Sequence, residues 1–196
     1  MKKVLDSWKT KNFKQIIILP LFPQYASATN GSVVELAMQE MKNWWVIPEI
    51  TFVSQFFDHD LFIQSFFENG SKYNLDEYDH VLFSFHGLPE RHVDKVYNNS
   101  LCSDNNCESG ISDDNLFCYK ASCYETAFRI SEKLNLNKSN YTVCFQSRLG
   151  RGWLEPFSDV IIENLAKEGK KKILVFSPAF VADCLETIIE IGDEYQ

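Results

Sequence analysis

Short apolar runs recur along the chain, each stopped by a turn-forming or polar residue. Gln15 to Leu19 ends at Pro20, Val81 to Phe85 ends at His86-Gly87, and others stand at Ile50 to Val53, Tyr141 to Gln146 and Ile173 to Phe176. Continuous apolar character over so few residues predicts strands buried on both faces. The stretches between them carry helical spacing. One helix is capped by Asn30 or Ser32 and runs to about Trp44, and an aromatic-rich one covers about 58 to 69 and closes at Asn69-Gly70. Others span about Cys118 to Leu134, Phe157 to Glu168, and Asp183 onward. Strands alternating with helices predict an α/β fold, a Rossmann-like parallel sheet flanked by helices. A boundary near Trp45 to Ser54 divides residues 1–50 from residues 51–196.

Three predicted strand ends run into polar chemistry: PQYASAT after the first, SFHG after the third and SPAFVADCLE after the last. In one parallel sheet these ends share the edge where open α/β sheets place ligands. His86 stands where its strand meets a glycine that permits a sharp turn, and an ordinary imidazole pKa of about 6.5 suits a proton acceptor or a metal ligand. At about 100° per residue, Asp183, Glu186, Glu190 and Glu194 fall within about 80° on one helix face. Taken alone, such a stripe is a solvated surface and a strand-end histidine is structural. Their shared edge is what makes them candidates for chemistry.

Composition narrows the partners. The 196 residues carry a net charge of −8 with no clustered basic face, which argues against nucleic acid and favours cations. Charges break every apolar run before Ile16, so neither an export signal nor a membrane span is expected, and the cytoplasm is the expected location. No basic amphipathic helix is evident, so any membrane contact is expected to be peripheral. The residue pattern sets no oligomeric state. Aromatics at 14% supply either a core or the walls of a flat apolar pocket. Cys102, Cys107, Cys118 and Cys123 follow C-x4-C-x10-C-x4-C in a polar loop and the start of the next helix. In a reducing compartment that density favours a thiolate site, zinc or [2Fe–2S], over disulfides, with unliganded thiols the remaining alternative. Cys144 lies in a predicted buried strand and reads as a small hydrophobe.

FSFHGLPERH, PLFPQYASATNGS, CYETA, FQSRLGRGWLEP and SPAFVADCLETIIEIGDEY together resemble the ferrochelatase family. The resemblance implies two similar Rossmann-like lobes around a porphyrin cleft, with the first lobe incomplete here. It implies insertion of Fe²⁺, as substrate, into protoporphyrin IX to form protohaem. His86 and Glu186 become the catalytic pair, and both are implied metal ligands. Tyr25, Thr29, Trp153, Phe180 and Asp183 become substrate-binding, and Glu190 and Glu194 become outer members of an acidic metal path. It also tips the cysteines towards the [2Fe–2S] cluster that one bacterial class holds in an internal insertion, here at about 98–123. Two positions depart from the pattern: Cys184 stands where some members have His, and Phe22 where Tyr is frequent. Coproporphyrin chelation and a non-catalytic porphyrin- or iron-binding fragment are the alternatives.

Overall fold

The computed structural model describes residues 1–195. Two parallel sheets form, consistent with the two lobes that the resemblance implies, and the single shared edge read from the strand ends does not. Strand β1 (Gln15–Ile18) pairs with β2 (Glu49–Phe52), while β3 (His80–His86) lies between β4 (Tyr141–Gln146) and β5 (Ile173–Phe176). The expected single edge is therefore divided. The PQYASAT loop leaves the small sheet, whereas SFHG and SPAFVADCLE leave the large one. The expected cut at residue 50 falls within β2, whose Ile50 and Phe52 pack on the same core as Ile16.

Every residue of β3 from His80 to Phe85 is buried, as a central strand covered on both faces requires. On one face lie α3 (Asp60–Gly70) and α5 (Tyr119–Lys133), and their apolar stripes meet Val81, Phe83, Phe85 and Phe176. The Phe83 ring stacks on Phe176 with centroids 5.4 Å apart. Each such buried ring contributes about 1.5–3 kcal/mol of transfer free energy. The other face carries α6 (Ser158–Lys167), whose Leu165 packs with Leu82 and Cys144. Cys144 is a fully buried core residue, as expected. The small sheet is covered by α1 (Lys2–Trp8) and α2 (Ser32–Met41), through Leu5, Ala37 and Met41, with Trp44 just past α2 completing that core. A single turn, α4 (Glu90–Val93), follows β3.

Two helical segments depart from α geometry. Ser27–Gly31 forms a wide π turn that runs into Ser32–Met41, with the Gly31 N–H bonded to the Ala26 carbonyl at 3.1 Å. Asn30 does not cap this helix. Buried, it donates to the Phe22 and Ser54 carbonyls, both at 2.9 Å, and so ties two loops together. The C-terminal helix is also π-type and covers Glu186–Glu194, with the Tyr195 N–H bonded to the Glu190 carbonyl at 3.1 Å. It begins three residues later than expected, which leaves Asp183 in the preceding loop. The two sheets are joined through Gln24, a buried amide that donates to Thr126 Oγ1 at 3.1 Å and to the Pro178 carbonyl at 3.4 Å.

Candidate active site and thiol site

His86 closes β3 directly opposite Gln146 of β4. Its imidazole is half-buried, with Nδ1 2.7 Å from the Gly87 carbonyl. A carbonyl only accepts, so Nδ1 carries a proton and the neutral ring keeps its lone pair on Nε2. The peptide joining His86 to Gly87 is held at both ends. The Gly87 N–H donates to the Gln146 carbonyl at 2.8 Å, and the His86 carbonyl accepts from the Tyr119 hydroxyl at 2.8 Å. A Cβ at position 87 would stand 2.9 Å from the Gln146 carbonyl oxygen, so this close approach requires glycine.

Two of the expected pocket aromatics gather here. Phe180, after β5, sets its ring 6.3 Å from the His86 ring at 61°. Trp153 bridges to Pro89, and its ring lies 3.4 Å from where a Gly87 Cβ would stand. Tyr25 lies further off, edge-on to Phe117 at 5.5 Å, and lines a cleft of about 690 Å³ with Leu88, His92 and Tyr119. Thr29 bonds inward to Asn30 Oδ1 at 2.9 Å and to the Ala26 carbonyl at 3.3 Å, which engages its hydroxyl within its own loop.

Gln146 links the histidine strand to the acidic helix. Its Nε2 donates to the Glu186 backbone carbonyl and to a Glu190 carboxylate oxygen, both at 3.1 Å, while its Oε1 accepts from Ser84 at 2.8 Å. Glu190 also accepts from the Ser147 N–H at 2.6 Å, the Ser147 hydroxyl, and the Tyr195 hydroxyl at 2.9 Å. Burial alone would raise its pKa, but these donors outweigh burial and hold it below the ordinary carboxylate value. Asp183 is exposed and accepts from Thr187 Oγ1 at 3.4 Å, and Glu194 is exposed further along the helix. Among the described residues, no three of His86, Asp183, Glu186, Glu190 and Glu194 bring ligand atoms within 4.8 Å of one another.

The thiols do converge. The sulfurs of Cys102, Cys107 and Cys118 lie 3.6 Å apart in every pair. Thiolates about 2.3 Å from a tetrahedral ion stand roughly 3.8 Å apart, so this triangle fits three corners of one ion's shell. The Cys102 thiol donates to Cys118 and favours its thiolate, while the same bond and burial push Cys102 up. Tyr97 lies 3.0 Å from the Cys107 sulfur. Cys123, one turn into α5 and fully buried, stands outside the triangle. A two-iron cluster takes four thiolates in pairs, so the triangle would have to divide and Cys123 join it.

Gln146, Ser147, Tyr97 and Tyr119 were not singled out from the sequence. Only Gln146 offered a signal, a polar side chain ending an otherwise buried strand.

The ferrochelatase family model matches residues 1–196. Similar proteins include ferrochelatases of Legionella pneumophila (43% identical, covering 93% of this chain and 54% of the relative) and Coxiella burnetii (44%, 91% and 50%). That of Pseudomonas entomophila is 38% identical over 97% of this chain and 58% of the relative. The chain belongs to the ferrochelatase family. It spans about half the length of the curated relatives it matches.

Proposed function

We propose that this chain carries the metal-transfer half of a ferrochelatase, a lyase that inserts Fe²⁺ into protoporphyrin IX and yields protohaem and two protons. The supporting observation is the pairing of His86 with Gln146, which brings a histidine with an available Nε2 and the Glu186 backbone to neighbouring strand ends. In this reading His86 accepts pyrrole protons and Glu186 works from the opposite side of the macrocycle, both within reach of the iron. Oxygen and nitrogen donors hold a borderline metal while still releasing it to four porphyrin nitrogens. Trp153 and Phe180 flank the ring, and Tyr25, Thr29 and Asp183 lie at its outer contacts. Glu194 and Glu190 form the outer iron path, although Glu190 reaches iron only by loosening its bonds to Ser147.

The thiol site is read as a resident metal site, with [2Fe–2S] the group that all four cysteines together would hold. Such a group supplies electron-transfer or structural chemistry when bound. All six cysteines are free, in keeping with a cytoplasmic setting. Among the described residues, no helix is long and apolar enough to cross a membrane, and porphyrin delivery from a bilayer is read as peripheral contact.

The test is metal insertion followed by loss of free-porphyrin fluorescence, in wild type and His86→Ala. We expect a loss of at least about 100-fold, the scale of general acid–base catalysis, with porphyrin binding retained. Undiminished turnover in the variant would overturn the assignment. The half-length match favours one second reading, a porphyrin- or iron-binding piece without turnover. Binding without insertion by this chain, alongside insertion by a full-length relative under the same conditions, identifies that case.

A further inference from the structure

The carbonyl of His86 is held by a side chain from the thiol region. Tyr119 directly follows Cys118, stands on the first turn of α5, is buried, and donates to the His86 carbonyl at 2.8 Å. Cys118 is the residue at which α5 begins, and its carbonyl accepts both the N–H and the hydroxyl of Ser122 at 3.0 Å. The backbone that positions a thiol therefore also positions the phenol. At the far end of the same peptide, the Gly87 N–H is fixed by Gln146. Rotation of that peptide moves the His86 ring, because Nδ1 is bonded to the Gly87 carbonyl just beyond it. Tyr119 is thus the described hydrogen-bond link between the cysteine site and the strand end bearing the histidine.

We propose that Tyr119 is a positioning residue that couples occupancy of the Cys102–Cys107–Cys118 site to the placement of the His86 imidazole. A metal ion held by the three sulfurs fixes Cys118 and with it the first turn of α5. The Tyr119 hydroxyl passes that constraint to the His86 peptide. The importance of His86 for chemistry rests on the function proposed above, but the coupling does not, and it is measured without porphyrin or turnover.

The experiment titrates Cd²⁺ into the anaerobic full chain while the histidine ring resonances are followed by NMR. His86 is assigned by loss of its signal in His86→Gln, and His80, at the opposite end of β3, is the control. Thiolate-to-Cd²⁺ absorption reports occupancy. In wild type, saturation is expected to shift the His86 ring signals and leave those of His80 in place. In Tyr119→Phe the absorption should be unchanged while the His86 shift falls to less than half. Cys118→Ser should lose both responses. A His86 signal that ignores Cd²⁺ in wild type overturns the coupling whatever the variants do, and so does a full-sized shift in Tyr119→Phe. A lower melting temperature in Tyr119→Phe with the metal response intact would mark the bond as structural only, and would also overturn it. Failure of iron insertion leaves this readout unaffected, so the two ideas fail separately.

Discussion

Ser147 presents both its backbone N–H, at 2.6 Å, and its hydroxyl to the carboxylate of Glu190. Ser147 adopts φ +62°, an uncommon conformation for a residue with a side chain, and the two donors account for why it persists there. Glu190 is therefore the latch that holds the acidic helix to the end of β4, in addition to any part in iron transfer. Glu190→Ala leaves the Ser147 N–H without its partner. We expect a loss of about 1–2 kcal/mol, allowing for solvent screening at a half-buried site, with faster amide exchange confined to residues 186–194. Uniform exchange across the chain would contradict the latch.

The same carboxylate sets a pH dependence. Its folded pKa lies below the unfolded value of about 4.3, so its contribution to stability is complete above that value and fades as pH falls through the folded pKa. Amide protection at 186–194 should be flat from about pH 7 to pH 5 and decline below about pH 4. In Glu190→Gln this segment-specific acid step should disappear, as hydrogen exchange at matched pH would reveal.

Gly87 should not tolerate a methyl group. In Gly87→Ala the new Cβ meets the Gln146 backbone carbonyl at 2.9 Å, and backbone cannot step aside as a flexible side chain can. Overpacking of this kind costs about 1–3 kcal/mol. Gly150→Ala meets nothing within 4 Å and should melt close to wild type. Thermal denaturation of the pair provides the comparison, and equal melting temperatures would remove the steric argument.

The four cysteines should divide into three and one. Ser at position 102, 107 or 118 removes a corner of the sulfur triangle and should sharply weaken Zn²⁺ binding measured by competition with a chelator. Cys123→Ser should leave Zn²⁺ affinity within about a factor of ten of wild type, since a residue outside the triangle costs no ligand. After anaerobic reconstitution with iron and sulfide, the same variant should lose visible cluster absorption, because a two-iron group needs the fourth thiolate. A coloured, stable cluster in Cys123→Ser would exclude it as a ligand.

The strands were legible because short apolar runs mark sheet positions: β4 and β5 occupy the expected residues, and α5 differs by one residue at each end. However, β1 and β2 each keep one face exposed where burial on both was expected. The division of the strands between two sheets was legible only through the family resemblance, since apolar content marks a strand without naming its neighbour. The helix Lys2–Trp8 escaped notice because Leu5 is its only buried residue, too little to make a stripe. The π geometry at Glu186–Glu194 is bound up with donors from the β4 end and Tyr195, which a local reading cannot supply. Tyr119 is equally hidden. Its partner lies 33 residues away, and its sequence neighbours mark it only as the residue after a cysteine.

The Gln24 amide limits how far the two sheets can move against each other. Sliding one sheet against the other must break its buried bonds to Thr126 and Pro178, leaving polar groups stranded at about 1–3 kcal/mol each. Tyr25 follows directly and lines the adjacent cleft, so one wall of that cleft is tied to the same bonds. Widening or narrowing that cleft therefore carries the cost of breaking buried bonds, which makes its width a stiff property of the fold.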